Sequence, residues 1–209
     1  MSSTRRRHPV SALSALLVSA LCLGAVLPTA AQTPVPGSLA GQFLVASPTM
    51  GDPRFERTVI LMVRHGRDGA FGIVVNRPIG ERPLAAILQL LGEKEPTTTG
   101  TVRIFAGGPV QPEAGFVIHS PDYHGAGTAD INERAAISAS REILRDIGNG
   151  KGPSKSLVAF GYSGWGPGQL EGELARRDWA IAPADPKLIF DADRENVWES
   201  AYAQRMQDL

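Results

Sequence analysis

The chain has 209 residues, 43% hydrophobic and 20% charged, with 21 basic and 21 acidic side chains. That length and balance suit one ordinary globular domain, and they carry no basic footprint of a nucleic-acid binder. The 23 glycines and 16 prolines cluster between apolar runs, so they read as tight turns and not as disorder.

The first thirty residues stand apart. Arg5, Arg6 and Arg7 form a positive region, and Val10 to Leu27 carries no charge. "PTAAQTP" follows, with Thr29 and Ala31 in the small-residue pattern before a cleavage point. This is the layout of a secretory signal peptide over residues 1–31, so a periplasmic or secreted protein is expected. An uncleaved anchor is the alternative, because the stretch matches the shortest spanning helices of roughly 17 residues. Pro28 and the small residues after it favour cleavage after Ala31, which leaves no stable membrane anchor. A misassigned start codon would instead leave a cytoplasmic chain. Cys22 follows Leu21, where a lipoprotein signal wants a small residue, and Arg5-Arg6 alone does not separate twin-arginine from general export. Cys22 is the only cysteine, so the processed chain has no disulfide, thiol chemistry or Cys-ligated zinc. Removing residues 1–31 takes away three arginines and no acid, leaving a net charge of about −3.

Residues 32–37 are a Pro-rich linker into a domain over 38–209. "GQFLVASP" (41–48) predicts a first strand, and "TMGDPRFERT" a polar turn with Pro53 barring a long helix. "TVILMV" (58–63) is a continuous apolar run of strand length, buried on both faces. Asp68-Gly69 is a hairpin turn pair, and "AFGIVV" (70–75) is the returning strand. Gly72 inside it marks a bulge or a close backbone approach. Pro78 ends the pairing, having no N–H to give. "PLAAILQLLG" (83–92) predicts a short helix from Pro83 to Gly92. "TVRIFAGGPV" is strand then turn, "AGFVIHS" (114–120) a strand, and "PDYHGAGTAD" a loop. "SASREILRDIGNG" predicts a helix with Ile143, Leu144 and Ile147 on one face. "KSLVAFGYSG" (155–164) is strand into turn, and "GPGQLEGELARR" opens a helix. "DWAIAP" and "KLIF" are short strands, and Glu195–Met206 is a closing helix with Trp198 and Tyr202 on one face. Strands come both as hairpins and with helices between them, so the fold class is α+β with a mixed sheet.

Several places could carry chemistry. "GYSGWG" (161–166) sits where an α/β-hydrolase places its serine, but that spacing needs Gly where Trp165 stands, and no His follows Ser163. Gly-rich packing is the plainer reading. Gly164, Gly166 and Gly168 precede a helix whose free N–H groups could meet an anion, although Glu171 and Glu173 already complement its dipole. His119 and His124 flank Asp122 without a shared face, so no metal site and no cofactor is expected. His65 and His119 sit at strand ends, where a hydrogen-bonded structural role is commoner than acid–base use. Asn76-Arg77-Pro78 closes the hairpin strand. Arg77 either presents a bidentate fork to a ligand or pairs with an acid of the fold. Gly107-Gly108-Pro109 offers bare backbone to a ligand or simply bends the chain.

"GQFLVASPTMGDPRFERTVILMVRHGRDGAFGIVVNRP", "GGPV", "GFVIHS" and "GYSGWGPGQLEGELARRDW", in that order, resemble the YqgE/AlgH family of bacterial proteins. The resemblance covers residues 41 to about 205. It implies a compact α+β domain, with a mixed, partly barrel-like sheet flanked by helices and no established activity. The family's regulator label rests on a link to alginate production, and export and acidic charge speak against DNA binding here. Members usually carry Ala where this chain has Ser163, and usually begin near residue 38, so the signal peptide is an addition. The resemblance also makes the Asn76-Arg77 end, the Gly107-Gly108 turn and Trp165 the ligand-binding candidates. The expected function is a non-enzymatic binding or regulatory module of the cell envelope, its partner a small ligand or an envelope protein. The alternatives are an enzyme using His65 or His119 with an Asp, and a purely structural partner.

Overall fold

The computed structural model describes residues 37–206. The expected signal peptide and most of the linker lie outside the described residues. Ten strands make one curled, mostly antiparallel sheet. They are β1 (Gln42–Ala46), β2 (Val59–Gly66), β3 (Gly69–Val74), β4 (Pro78–Pro83), β5 (Thr101–Ala106), β6 (Val110–His119), β7 (Thr128–Asn132), β8 (Ala135–Ser138), β9 (Ser156–Trp165) and β10 (Trp179–Pro183). Four helices of two turns each accompany them: α1 (Leu84–Leu90), α2 (Glu142–Gly148), α3 (Gln169–Ala175) and α4 (Val197–Ala203). The order across the sheet is β10-β1-β2-β3-β9-β6-β8-β7, with β4 paired to β5 and β5 running parallel to β9. The α+β class and mixed sheet expected from the sequence are what the chain adopts.

The β2–β3 hairpin forms the middle of the core. Phe43, Val45, Val59, Leu61, Ile73 and Val75 point to one face, against α4 and Ile118. Leu44, Ile60, Met62 and Val74 point to the other, against Trp165, Leu170 and Trp179. Apolar residues at every position are the signature of a strand covered on both faces. Gly72 sits opposite a register shift between Met62 and Arg64, and a Cβ there would lie 2.5 Å from Ile60 Cγ2. The glycine therefore marks both the bulge and the close approach.

Strand β9 joins the two halves of the sheet. Its first half lies between β5 and β6, with Ala159 opposite both Phe105 and Phe116. Its second half pairs with β3, Gly72 opposite Ser163 and Ala70 opposite Trp165. The switch occurs at Gly161, whose φ is +76°. There the β5–β6 turn crosses directly over the strand. A Cβ on Gly107 would sit 2.3 Å from the Gly161 carbonyl oxygen, and one on Gly108 would sit 2.1 Å from the Tyr162 carbonyl carbon. Two backbones packed this closely leave no room for side chains.

The structure corrects five local expectations. The hairpin turn is Arg67-Asp68, with Gly69 already paired to Gly66. "GYSG" is not a turn but strand, and the strand-to-helix turn is Gly166–Gly168. Pro78–Pro83 forms an exposed edge strand, and residues 128–138 form the β7–β8 hairpin. "KLIF" is not a strand but a wide helical turn over Lys187–Asp191.

Candidate functional site

The sequence candidates fall into two groups. The first holds the fold together. Asn76 Oδ1 accepts from the Val59 N–H at 2.9 Å and its Nδ2 donates to the Arg57 carbonyl at 2.8 Å, so the side chain stands in for a missing strand. Arg77 donates through Nη2 to the Glu56 carbonyl at 2.7 Å and through Nη1 to the Arg54 carbonyl. Burial, partly offset by Glu56, lowers its pKa from the ordinary arginine value. Its fork thus clamps the short helical turn Pro53–Phe55. The Gly107 N–H donates to Phe160 and its carbonyl accepts from Val74, which fixes the turn over β9.

The histidines are also engaged. His65 Nδ1 accepts from the Leu39 N–H at 3.1 Å, so Nε2 carries the hydrogen and lies 3.0 Å from Glu171 Oε1. His119 is fully buried. Its Nδ1 donates to the Ser120 carbonyl at 2.8 Å, and its Nε2, 3.0 Å away, accepts from the Ser138 hydroxyl. Ser138 in turn lies 2.7 Å from Thr128 Oγ1. Burial holds His119 below the usual histidine pKa. Asp122 accepts instead from the Ser120 hydroxyl and the Ser154 N–H, and its carboxyl is lowered to about 2. His65 and His119 therefore each bond to partners other than an aspartate. Among the described residues, no three His, Cys, Asp or Glu side chains gather as metal ligands.

The second group surrounds a cleft of about 410 Å³ on the face that α3 covers. Three aromatic side chains build it from distant parts of the chain. Phe55 meets Trp179 edge to face at 5.4 Å, and Trp179 meets Trp165 edge to face at 6.2 Å. Glu173, one turn along α3 from Gln169, gathers them. Its Oε2 accepts from the indole N–H of both Trp165 and Trp179, each at 2.8 Å, and its Oε1 accepts from Gln169 Nε2 at 2.9 Å. Gln169 Oε1 caps the Gly166 N–H at 3.1 Å, so the turn before α3 is already closed by the chain itself. At the rim Arg54 pairs with Asp52, and Arg176 with Asp178, at 2.7 and 2.8 Å. The Arg54 guanidinium holds the Asp52 carboxyl below its ordinary pKa.

Ser163 lines this cleft and is 1% exposed, yet its hydroxyl has no hydrogen-bond partner among the described residues. Buried hydroxyls are nearly always paired, which sets Ser163 apart among the residues that line the cleft. Of the ligand-binding candidates Asn76, Arg77, Gly107, Gly108 and Trp165, Trp165 alone lines the cleft, beside Ser163 and Gly164 of the same strand. Arg77 touches it indirectly, through the turn that carries Arg54 and Phe55. Phe55, Glu173 and Trp179 were not singled out. The signal for them was faint, since an acid in the first turns of a helix already has a role at the helix dipole.

Comparison with known proteins places this architecture. The AlgH-like family model, DUF179, matches residues 43–209. A UPF0301 protein of Sphingopyxis alaskensis is 44% identical over 169 residues, covering 81% of this chain and 90% of that protein. One of Methylococcus capsulatus is 44% identical over 162 residues, covering 78% and 88%. The solution structure of the AlgH protein from Pseudomonas aeruginosa superposes with a TM-score of 0.71 at 40% identity, covering 83% of this chain and 92% of that one. A crystal structure of a Corynebacterium diphtheriae protein shares the fold, with a TM-score of 0.59 at 22% identity, covering 77% and 83%. The chain belongs to the AlgH-like UPF0301 family, for which no specific activity is established.

Proposed function

We propose that the chain is a non-enzymatic binding module of the cell envelope that holds a small ligand in the cleft between Phe55, Trp165 and Trp179. The observation that carries this reading is that Ser163, whose buried hydroxyl has no partner among the described residues, lines an aromatic cleft. Sites for small molecules combine apolar walls with a few placed polar groups, and this cleft has that make-up. What supports binding over turnover is that neither His65 nor His119 lines the cleft, His65 being bonded to the Leu39 N–H and Glu171 and His119 to Ser120 and Ser138. Export is part of the proposal and rests on the Arg5–Arg7 and Val10–Leu27 pattern.

The test is untargeted mass spectrometry of small molecules carried through purification by the wild-type protein and by Trp179→Ala. A compound enriched on the wild type and absent from the variant is expected. Identical small-molecule content in the two would remove the cleft as the binding site.

A further inference from the structure

We infer that the cleft selects a small organic cation, an alkylammonium whose N–H groups meet Ser163 and Glu173. The inference rests on the proposed binding role and adds the ligand's chemical class. It starts from which hydrogen-bonding groups remain free. Both indole N–H groups are spent on Glu173 Oε2, so Trp165 and Trp179 have no donor left for a sugar hydroxyl, carboxylate or phosphate. What they still offer is ring surface. Glu173 receives only three N–H donors, all from neutral groups, while a carboxylate has about four acceptor positions. Ser163 adds a hydroxyl oxygen with no partner among the described residues. The free capacity of the site is therefore mostly acceptor, and an ammonium is a donor with no acceptor.

Charge points the same way. The two arginines at the rim already face their own acids, Arg54 on Asp52 through Nε and Nη2 and Arg176 on Asp178 through the same pair of nitrogens. Among the described residues no basic side chain stands within ion-pair distance of Glu173. Three acids against two arginines leave the lining with one excess negative charge. Aromatic faces attract cations through their quadrupole, most strongly where water is excluded. An anion would find both rim arginines already paired with an acid and both indole N–H groups engaged.

The probes are three four-carbon molecules that differ in charge: putrescine, butanediol and succinate. They are titrated into the protein as isolated from the expressing cells. The indole N–H signals of Trp165 and Trp179 report the cleft in a proton–nitrogen correlation spectrum. Trp198 is the internal control, since its indole N–H is bonded to the Ala46 carbonyl and the residue does not line the cleft. Putrescine is expected to shift the first two signals saturably and leave Trp198 unmoved, with no response to the other probes. Glu173→Gln keeps one acceptor oxygen for the two indole N–H groups, gives up the acceptor that Gln169 Nε2 uses and removes the charge, so it should weaken putrescine about tenfold. Ser163→Ala should weaken it by a smaller factor. If butanediol or succinate shifts both signals and putrescine does not, the cleft binds a ligand but the cation class is wrong. If no probe moves them, the cation class falls, and the binding reading is then decided by the co-purification experiment. Putrescine binding unchanged in Glu173→Gln would also overturn the inference. Should that variant lose its dispersed spectrum, Phe55→Leu at the cleft rim replaces it, with weaker putrescine binding expected and unchanged binding counting against the cation.

Discussion

His119 shows how burial turns a titratable group into a stability term. Its ring is neutral, donating through Nδ1 and accepting through Nε2 from Ser138. Protonation would set N–H against the Ser138 hydroxyl inside the core. In the unfolded chain the same histidine titrates near the ordinary value of 6.5, whereas burial lowers its folded pKa. Below pH 6.5 the unfolded state therefore binds more protons, and stability falls with pH until the folded histidine protonates too. The wild type should lose up to about 1.4 kcal/mol per pH unit in that window through this one group. His119→Gln should flatten the slope, whatever it does to stability at neutral pH. Urea titrations at several pH values measure this, and equal slopes would refute it. Asn76 and Arg77 act through the backbone. Arg77→Ala leaves the Arg54 and Glu56 carbonyls without their donor and should cost about 1–3 kcal/mol. Because that turn carries Phe55 into the cleft, any cleft ligand should also bind more weakly. Unchanged affinity alongside the lost stability would confine Arg77 to the frame. Ser163 lies mid-strand opposite Gly72 with no histidine beside it. A serine-directed fluorophosphonate should leave the protein unlabelled, and stoichiometric labelling abolished by Ser163→Ala would make it a nucleophile after all.

The β2–β3 hairpin is the element whose loss should be felt most. Leu61 is fully buried between β1 and β3 and faces the larger apolar cluster. Leu61→Ala should cost roughly 2–5 kcal/mol, the transfer of its methyl groups plus the cavity they leave. A melting temperature equal to the wild type's would mean that the hairpin is not the core. This hairpin was legible in the sequence because a run of Val, Ile and Leu without a polar position has few other places to go. Helices α1 to α3 were legible from their spacing and their Gly or Pro ends, and α4 from Trp198 and Tyr202 on one face. What escaped had the opposite composition. Pro78–Pro83 carries two prolines and no buried residue, so only its pairing with β5 makes it a strand. The β7 strand is short and polar, and its partner decides its form as well. "KLIF" has strand composition, but Asp185 starts a helical turn by accepting from the Lys187, Leu188 and Ile189 N–H groups. "GYSGW" looks like a turn because of its glycines, when those glycines serve a strand that another backbone crosses. The cleft was the least legible part. Phe55, Ser163, Glu173 and Trp179 are brought together only by the closure of β10 onto β1 and of β9 onto β3.

The described body begins with bonds made at its first residues. Ser38 Oγ donates to the His65 carbonyl at 3.0 Å, Leu39 N–H donates to the His65 ring at 3.1 Å, and Gly41 N–H donates to the Met62 carbonyl at 2.8 Å. Leu39 is 9% exposed and packs with Leu44, Met62 and Trp165. The chain is thus tied to the hairpin from Ser38 onward, while the expected cleavage point after Ala31 lies upstream of every one of these bonds. A signal peptide can be removed there without touching them. The proposed export therefore makes two joint predictions. Fractionated cells should yield a periplasmic form whose N-terminal sequence starts near Gln32. That form should melt at the same temperature as a version begun at residue 37, because the bonds that start the body are present in both. A full-length chain in the cytoplasm would overturn export. A start near Ser38 with no upstream peptide would point to a misassigned initiation codon. A periplasmic form that melts well above the shortened one would show that residues 32–36 contribute to the fold, and the linker assignment would fall with it.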